Sequence, residues 1–180
     1  MRKLKMSELN RLSVRDFKSA PKLPVVIVLD NIRSQNNTGS IFRTADAFRC
    51  RSICLCGITA TPPHREIEKT ALGATDSVNW NYYPDTREAI LELKKAHYQV
   101  YAVEQTTKSI PLDEFFPEMD TGLAVVFGNE VSGIDDQVLT MVDGCIEIPQ
   151  SGTKHSLNIS IAAGIVLWSL FQNGKKFLQK

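Results

Sequence analysis

The sequence lacks any apolar run long enough to cross a bilayer. The longest candidate, residues 159–171, is interrupted by small and polar residues, and a span needs about 18 apolar positions. The opening stretch, residues 1–10, is polar and has no signal-peptide core, so the expected location is the cytoplasm and no membrane partner is expected. Cysteine is scarce. Cys50, Cys54, Cys56 and Cys145 are too few and too irregular for a disulfide framework, and no finger-like ligand set accompanies them, so no metal is expected. Cys54 and Cys56 alternate within an apolar run, which puts both on one face of a strand as buried free thiols. Net charge is also small. A value of +1 excludes a uniformly polycationic nucleic-acid binder. There is no internal repeat and no low-complexity segment, and neither a G-x-G-x-x-G fingerprint nor a Walker loop occurs.

What is present is an ordinary globular composition. Hydrophobic residues at 43% and charged residues at 23% exclude overall disorder, and 180 residues suit a single domain with its own core. The charge is unevenly spread. Arg2, Lys3, Lys5, Arg11, Arg15, Lys18 and Lys22 face only Glu8 and Asp16 in the first 22 positions, and Lys175, Lys176 and Lys180 add to the other end. Two readings remain open for these ends: solvated tails, or a patch that meets phosphates. Residues 1–23 are expected as a basic, helical extension. An amphipathic helix over 7–20 would bring Leu9, Leu12 and Phe17 to one side until Pro21 and Pro24 stop it. Residues 24–180 are expected as one domain.

Residues 25–29 (Val-Val-Ile-Val-Leu) form a continuous apolar run of the kind buried on both faces of a parallel sheet. Further strands are expected at 52–56, 78–83, 99–103, 123–127 and 145–148. Helices are expected at 40–49, 66–72, 85–97, 135–142 and 156–172. This alternation predicts an α/β fold, a mainly parallel sheet with helices on both faces, whose ligands bind beyond the carboxyl ends of the strands.

Three segments lie at such ends. In the first, running from Asp30 into Thr44, Asn37 is a candidate helix cap, Gly39 permits close approach of another chain or a substrate, and Arg43 would reach back toward the strand end. A capped helix with a surface arginine explains the same residues. In the second, Gly128 and Gly133 bracket Glu130, which suits either close backbone approach to a ligand or a plain strand-to-helix turn. In the third, Ile148-Pro149 leads through Gly152 to Ser156-Leu157-Asn158-Ile159-Ser160. A helix starting near Ser156 would offer free N–H groups to an anion, with Ser156, Asn158 and Lys154 as donors, or would simply be capped by Ser156. His155 reads either as a general base or as an incidental loop histidine.

Together these segments closely resemble the SpoU/TrmH family of the SPOUT methyltransferase superfamily. The residues that carry the likeness are Asn37, Gly39 and Arg43 followed by Thr-Ala; Phe127-Gly128-Asn129-Glu130 with Gly133; and Ile148-Pro149, Gly152 and Ser156 to Ser160. Gln150 departs from the methionine common in the family. The resemblance implies a C-terminal part tied into a deep trefoil knot, an exception to the unthreaded rule. It implies S-adenosyl-L-methionine as cofactor, held by Val103, Glu104, Gly128, Ile148, Ser156 and Leu157. It implies a homodimer with the last helix in the interface, for which the apolar face of Ile161, Ile165, Trp168 and Phe171 is suitable, although core packing explains that face equally well. The family assigns the arginine matching Arg43 as the catalytic residue. A free guanidinium has a pKa above about 12, so a base and a phosphate-orienting group both stay open as its role. By the same matching, Asn37, Glu130, Ser156 and Asn158 complete the catalytic set.

The implied activity is methyl transfer to a ribose 2′-hydroxyl of RNA. Few residues precede the first strand, which favours tRNA over ribosomal RNA as partner. The alternatives are a ribosomal-RNA 2′-O-methyltransferase and a catalytically silent RNA-binding protein on the same fold.

Overall fold

A computed structural model describes residues 1–179; Lys180, counted above among the C-terminal cations, lies outside them. The elements in chain order are α1 (Val14–Ser19), β1 (Leu23–Asp30), α2 (Gln35–Ala47), β2 (Cys50–Cys56), α3 (Arg65–Ala71), α4 (Ala74–Ser77), β3 (Asn79–Tyr83), α5 (Thr86–Lys95), β4 (Gln99–Val103), β5 (Ile110–Pro111), β6 (Leu123–Phe127), α6 (Asp136–Leu139), β7 (Gly144–Glu147) and α7 (Ile159–Gly174). The strands form one sheet in the order β3-β2-β1-β6-β4-β7-β5, and every pairing is parallel.

The uninterrupted apolar run becomes a long, fully buried strand. All eight residues of β1 are buried, and the two-residue period divides them between the faces. Val25, Ile27 and Leu29 point to a core shared with Ile41, Phe42 and Ala45 of α2 and with Val166, Leu167 and Leu170 of α7. Val26 and Val28 point to a second core with Ala89, Ile90 and Leu93 of α5 and Val138 of α6. Each such side chain contributes about 1.5–3 kcal/mol by leaving water, so β1 alone anchors both layers. Cys54 and Cys56 share the second core, as their alternation requires. All four thiols are free. Burial pushes the Cys50 and Cys54 thiols up to about 12 and raises that of Cys56 further.

Several boundaries differ from expectation. The N-terminal helix is only Val14–Ser19, capped by Ser13, which accepts from the Asp16 N–H. Leu9 and Leu12 precede it and are exposed, and only Phe17 packs inward. Two caps also move. Ser34, not Asn37, caps α2 by accepting from the Asn37 N–H, and Asn158, not Ser156, caps α7 by accepting from the Ser160 N–H. In both places two competent capping residues lie within a few positions, and propensity does not choose between them. Gly39 does admit a close neighbour, but that neighbour is α3. A Cβ there would stand 2.1 Å from Thr70 Oγ1 and 2.2 Å from the Ile67 carbonyl oxygen.

Candidate active site

Because all strands run the same way, their carboxyl ends open onto one rim. At the ends of β4, β6 and β7 this rim sinks into a cavity of about 670 Å³, within the range of small-ligand sites. Val103, Glu104, Gly128, Ile148, Ser156 and Leu157 all line it, as do Glu130 and Asn158. Sequence reasoning also missed contributors, among them Gln105, Asn129, Ile146 and Ala162. Asn129 sits inside the Phe-Gly-Asn-Glu segment that carries the family likeness. Ala162 carries no chemical signal.

The turn after β6 makes one wall. Asn129 and Gly133 exchange backbone hydrogen bonds at 3.0 Å each. Asn129 Oδ1 accepts from the N–H groups of Val131 and Ser132 at 2.9 and 3.1 Å. A Cβ on Gly128 would lie 2.5 Å from backbone atoms of Gly133 and Ile134, so only glycine lets the turn close. Glu104 braces it from β4, accepting from Gln105 N–H at 2.9 Å and Ile134 N–H at 3.3 Å.

Glu130 ties that turn to the start of α2. Its carboxylate accepts from the N–H groups of Arg33 and Ser34 at 3.0 and 3.1 Å and from Asn37 Nδ2 at 3.1 Å. Partial burial opposes ionisation, but these donors outweigh it and hold the Glu130 carboxyl below its ordinary value. Asn37 Oδ1 in turn accepts from Asn158 Nδ2 at 3.2 Å. One hydrogen-bonded chain, Glu130–Asn37–Asn158, therefore joins the three segments singled out in the sequence. With both its oxygens engaged by donors, Glu130 is arranged to position Asn37 rather than to take a proton.

Arg43 stands apart. Since α2 begins at Gln35 rather than at residue 40, Arg43 is two turns into the helix, on its exposed face. It does not line the cavity of its own chain, and its side chain makes no hydrogen bond or ion pair among the described residues. His155 and Lys154 are likewise absent from the lining, and His155 contributes only its carbonyl, which accepts from Gln105 Nε2 at 2.9 Å. No group of three metal-ligating side chains occurs among the described residues, and none of the helices is long and apolar enough to cross a membrane.

The cavity suits a small molecule that is part apolar and part polar. Apolar walls from Val103, Ile146, Ile148, Leu157 and Ala162 face the Glu104 carboxylate and the backbone of the glycine turn.

Comparison with known proteins agrees with this geometry. The model of the SpoU rRNA Methylase family matches residues 24–168. The tRNA (guanosine(18)-2′-O)-methyltransferase of Borreliella burgdorferi is 29% identical over 152 residues, which cover 84% of this chain and 68% of that protein. An AdoMet-bound rRNA methyltransferase from Sinorhizobium meliloti superposes with a TM-score of 0.75 at 27% identity, over 90% of this chain and 61% of that one. The A. aeolicus TrmH/SpoU tRNA modifying enzyme has the same fold, with a TM-score of 0.79 at 22% identity, over 91% of this chain and 83% of that one.

Proposed function

The chain belongs to the SpoU rRNA methylase family, and from that premise we propose that it transfers a methyl group from S-adenosyl-L-methionine to a ribose 2′-hydroxyl of tRNA. The observation that carries this reading is the cavity itself. Every residue expected to hold the cofactor lines it, and Glu130 and Asn158 lie on its wall. The tRNA substrate rests on the Borreliella relative, whose name states that chemistry.

Val103, Glu104, Gly128, Ile148, Ser156 and Leu157 would hold the cofactor. When bound, it supplies an electrophilic methyl carbon on a sulfonium, open to in-line attack by the ribose oxygen. The chain's own residues then have separable tasks. Glu130 fixes Asn37, and Asn37 fixes Asn158, so the edge facing the ribose is pre-organised before RNA arrives. Ser156 makes no hydrogen bond among the described residues and is free to meet cofactor or phosphate. Arg43, equally free but outside the cavity lining of its own chain, is the planar donor for an RNA phosphate, which orients the substrate.

The finer architecture follows the same reading. Residues 1–23 form a basic extension on a single domain over 24–180. The C-terminal part is knotted, as the family resemblance implies. An experimental chain trace through residues 99–174 tests it. The protein is a homodimer through α7. Ile161, Ile165 and Trp168 remain exposed at 56%, 39% and 52%, whereas Phe171 is half-buried, its ring tilted against Phe48 of its own chain at 5.1 Å. Sedimentation of Trp168→Glu as a dimer would refute that interface. Free, buried thiols fit the cytoplasm.

The deciding experiment is transfer of labelled methyl to tRNA and to ribosomal RNA, followed by nucleoside analysis. Wild type is expected to yield a 2′-O-methylated nucleoside from tRNA. Arg43→Ala and Arg43→Lys should both lose about 100-fold or more, since an ammonium does not copy the guanidinium fork. Label on ribosomal RNA alone changes the substrate. No label on either leaves a silent RNA-binding protein.

A further inference from the structure

The strand rim does not end at the cavity. It continues past β6 to the carboxyl ends of β1, β2 and β3, where the molecule shows a second, differently built surface. Resting on the reading of an RNA substrate, we propose that this stretch docks the RNA next to the reacting nucleotide, with the Tyr82 ring as a stacking platform for one base, Ile58 beside it, and Arg33 meeting the backbone.

Tyr82 and Ile58 are 48% and 65% exposed, although both belong to the end of a sheet whose interior is fully buried. The ring is not loose. Its hydroxyl donates to the Gly57 carbonyl at 3.1 Å, which holds an aromatic surface in place at little further entropic cost. The platform is joined to the cavity bond by bond. Ile58 N–H donates to Asn31 Oδ1 at 3.1 Å, and the Asn31 carbonyl accepts from Asn129 Nδ2 at 2.7 Å, Asn129 being a cavity residue. Arg33 lies on the same path. Its N–H is bonded to Glu130 while its exposed guanidinium makes no hydrogen bond or ion pair among the described residues.

The spacing fits a nucleic-acid strand. Two inter-strand steps separate β1 from β3, about 10 Å in all, the length of roughly three stacked nucleotides. A pinned aromatic ring, an apolar neighbour and an unpaired arginine are the means by which proteins hold unpaired RNA bases. The exposed apolar face suited to a second copy of the chain is on α7, a different element.

The test compares wild type, Tyr82→Ala and Tyr82→Phe by fluorescence anisotropy with a labelled tRNA transcript, by the KM for that transcript, and by calorimetric binding of S-adenosyl-L-methionine. Tyr82→Ala is expected to weaken RNA binding and raise the RNA KM by about tenfold, with cofactor affinity unchanged, and Tyr82→Phe to keep most of the wild-type value. Wild-type RNA affinity in Tyr82→Ala overturns the docking surface and leaves the proposed activity standing. Equal loss in Tyr82→Phe and Tyr82→Ala overturns it too, because the hydroxyl bond rather than the ring would then matter. A wild type that binds no RNA overturns the activity and the surface together.

Discussion

On one side of the cavity the chain from Phe127 to Ile134 is tied at almost every step, by paired backbone bonds, the Asn129 side chain and the Glu104 brace. On the other side, residues 149–158 run ten exposed positions, with the side-chain anchors Gln105 to the His155 carbonyl and Asn158 to Asn37. The first wall is a mould whose shape precedes any ligand. The second needs a ligand or a partner to finish it, and it carries the residues, Ser156 and Leu157, that would close over the cofactor. Binding energy spent on ordering that loop is not available for affinity, so the enzyme gains access for its substrates and gives up tightness.

The sharpest way to break this contrast is Gly128→Ala. The added methyl meets backbone on both sides of the turn. A loss of about 3 kcal/mol, a Tm drop near 10 °C, and loss of cofactor binding by calorimetry are expected. Retained binding would mean the turn is softer than its hydrogen bonds indicate.

Glu130→Gln comes next. An amide turns an N–H toward donors that now meet a carboxylate, so methyl transfer should fall roughly 10- to 100-fold, and by more than stability does. The folded-state pKa of Glu130 is depressed, so its stabilisation is present above the ordinary carboxylate value of about 4.3 and is lost as pH falls below it. The Tm gap between wild type and Glu130→Gln should therefore narrow on acidification through that range. A gap that does not change with pH would remove the ionised network from the argument.

Smaller effects separate the two loop residues. Asn158→Ala should cost about 1 kcal/mol by removing the cap of α7, whereas Ser156→Ala should leave the Tm unchanged and weaken cofactor binding only. Equal melting losses would restore Ser156 as the cap. At the far end, Gly152→Ala meets nothing within 4 Å and should change stability by less than about 1 kcal/mol.

The contrast also explains what could be read from the sequence. β4 and β6 fall at the expected residues, because short apolar runs between turn signals have one way to be buried. The residues expected to hold the cofactor come from motif resemblance, and the cavity gathers them. The caps of α2 and α7 were misread because Ser34 competes with Asn37, and Asn158 with Ser156, on equal intrinsic terms. The two-residue strand β5 is too short to carry a period. The link from Glu130 to Asn37 spans 93 positions and leaves no local trace in a single sequence. Arg43 shows the converse. Its identity was legible and its place was not, since a helix starting five residues earlier sets it two turns away from the strand end.

The long buried strand β1 shapes how the protein comes to exist. β1 hydrogen-bonds to β2 on one edge and to β6 on the other, with Val25 opposite Leu123. During synthesis the first three strands can assemble early, but the second edge of β1 has no mate until β6, which pairs Leu123 with Val25 nearly a hundred positions earlier, has left the ribosome. Until then that edge is a bare template for any other extended chain, and closing so long a loop is slow. The nascent half-sheet is the state in which this protein is most exposed to aggregation and most dependent on chaperones.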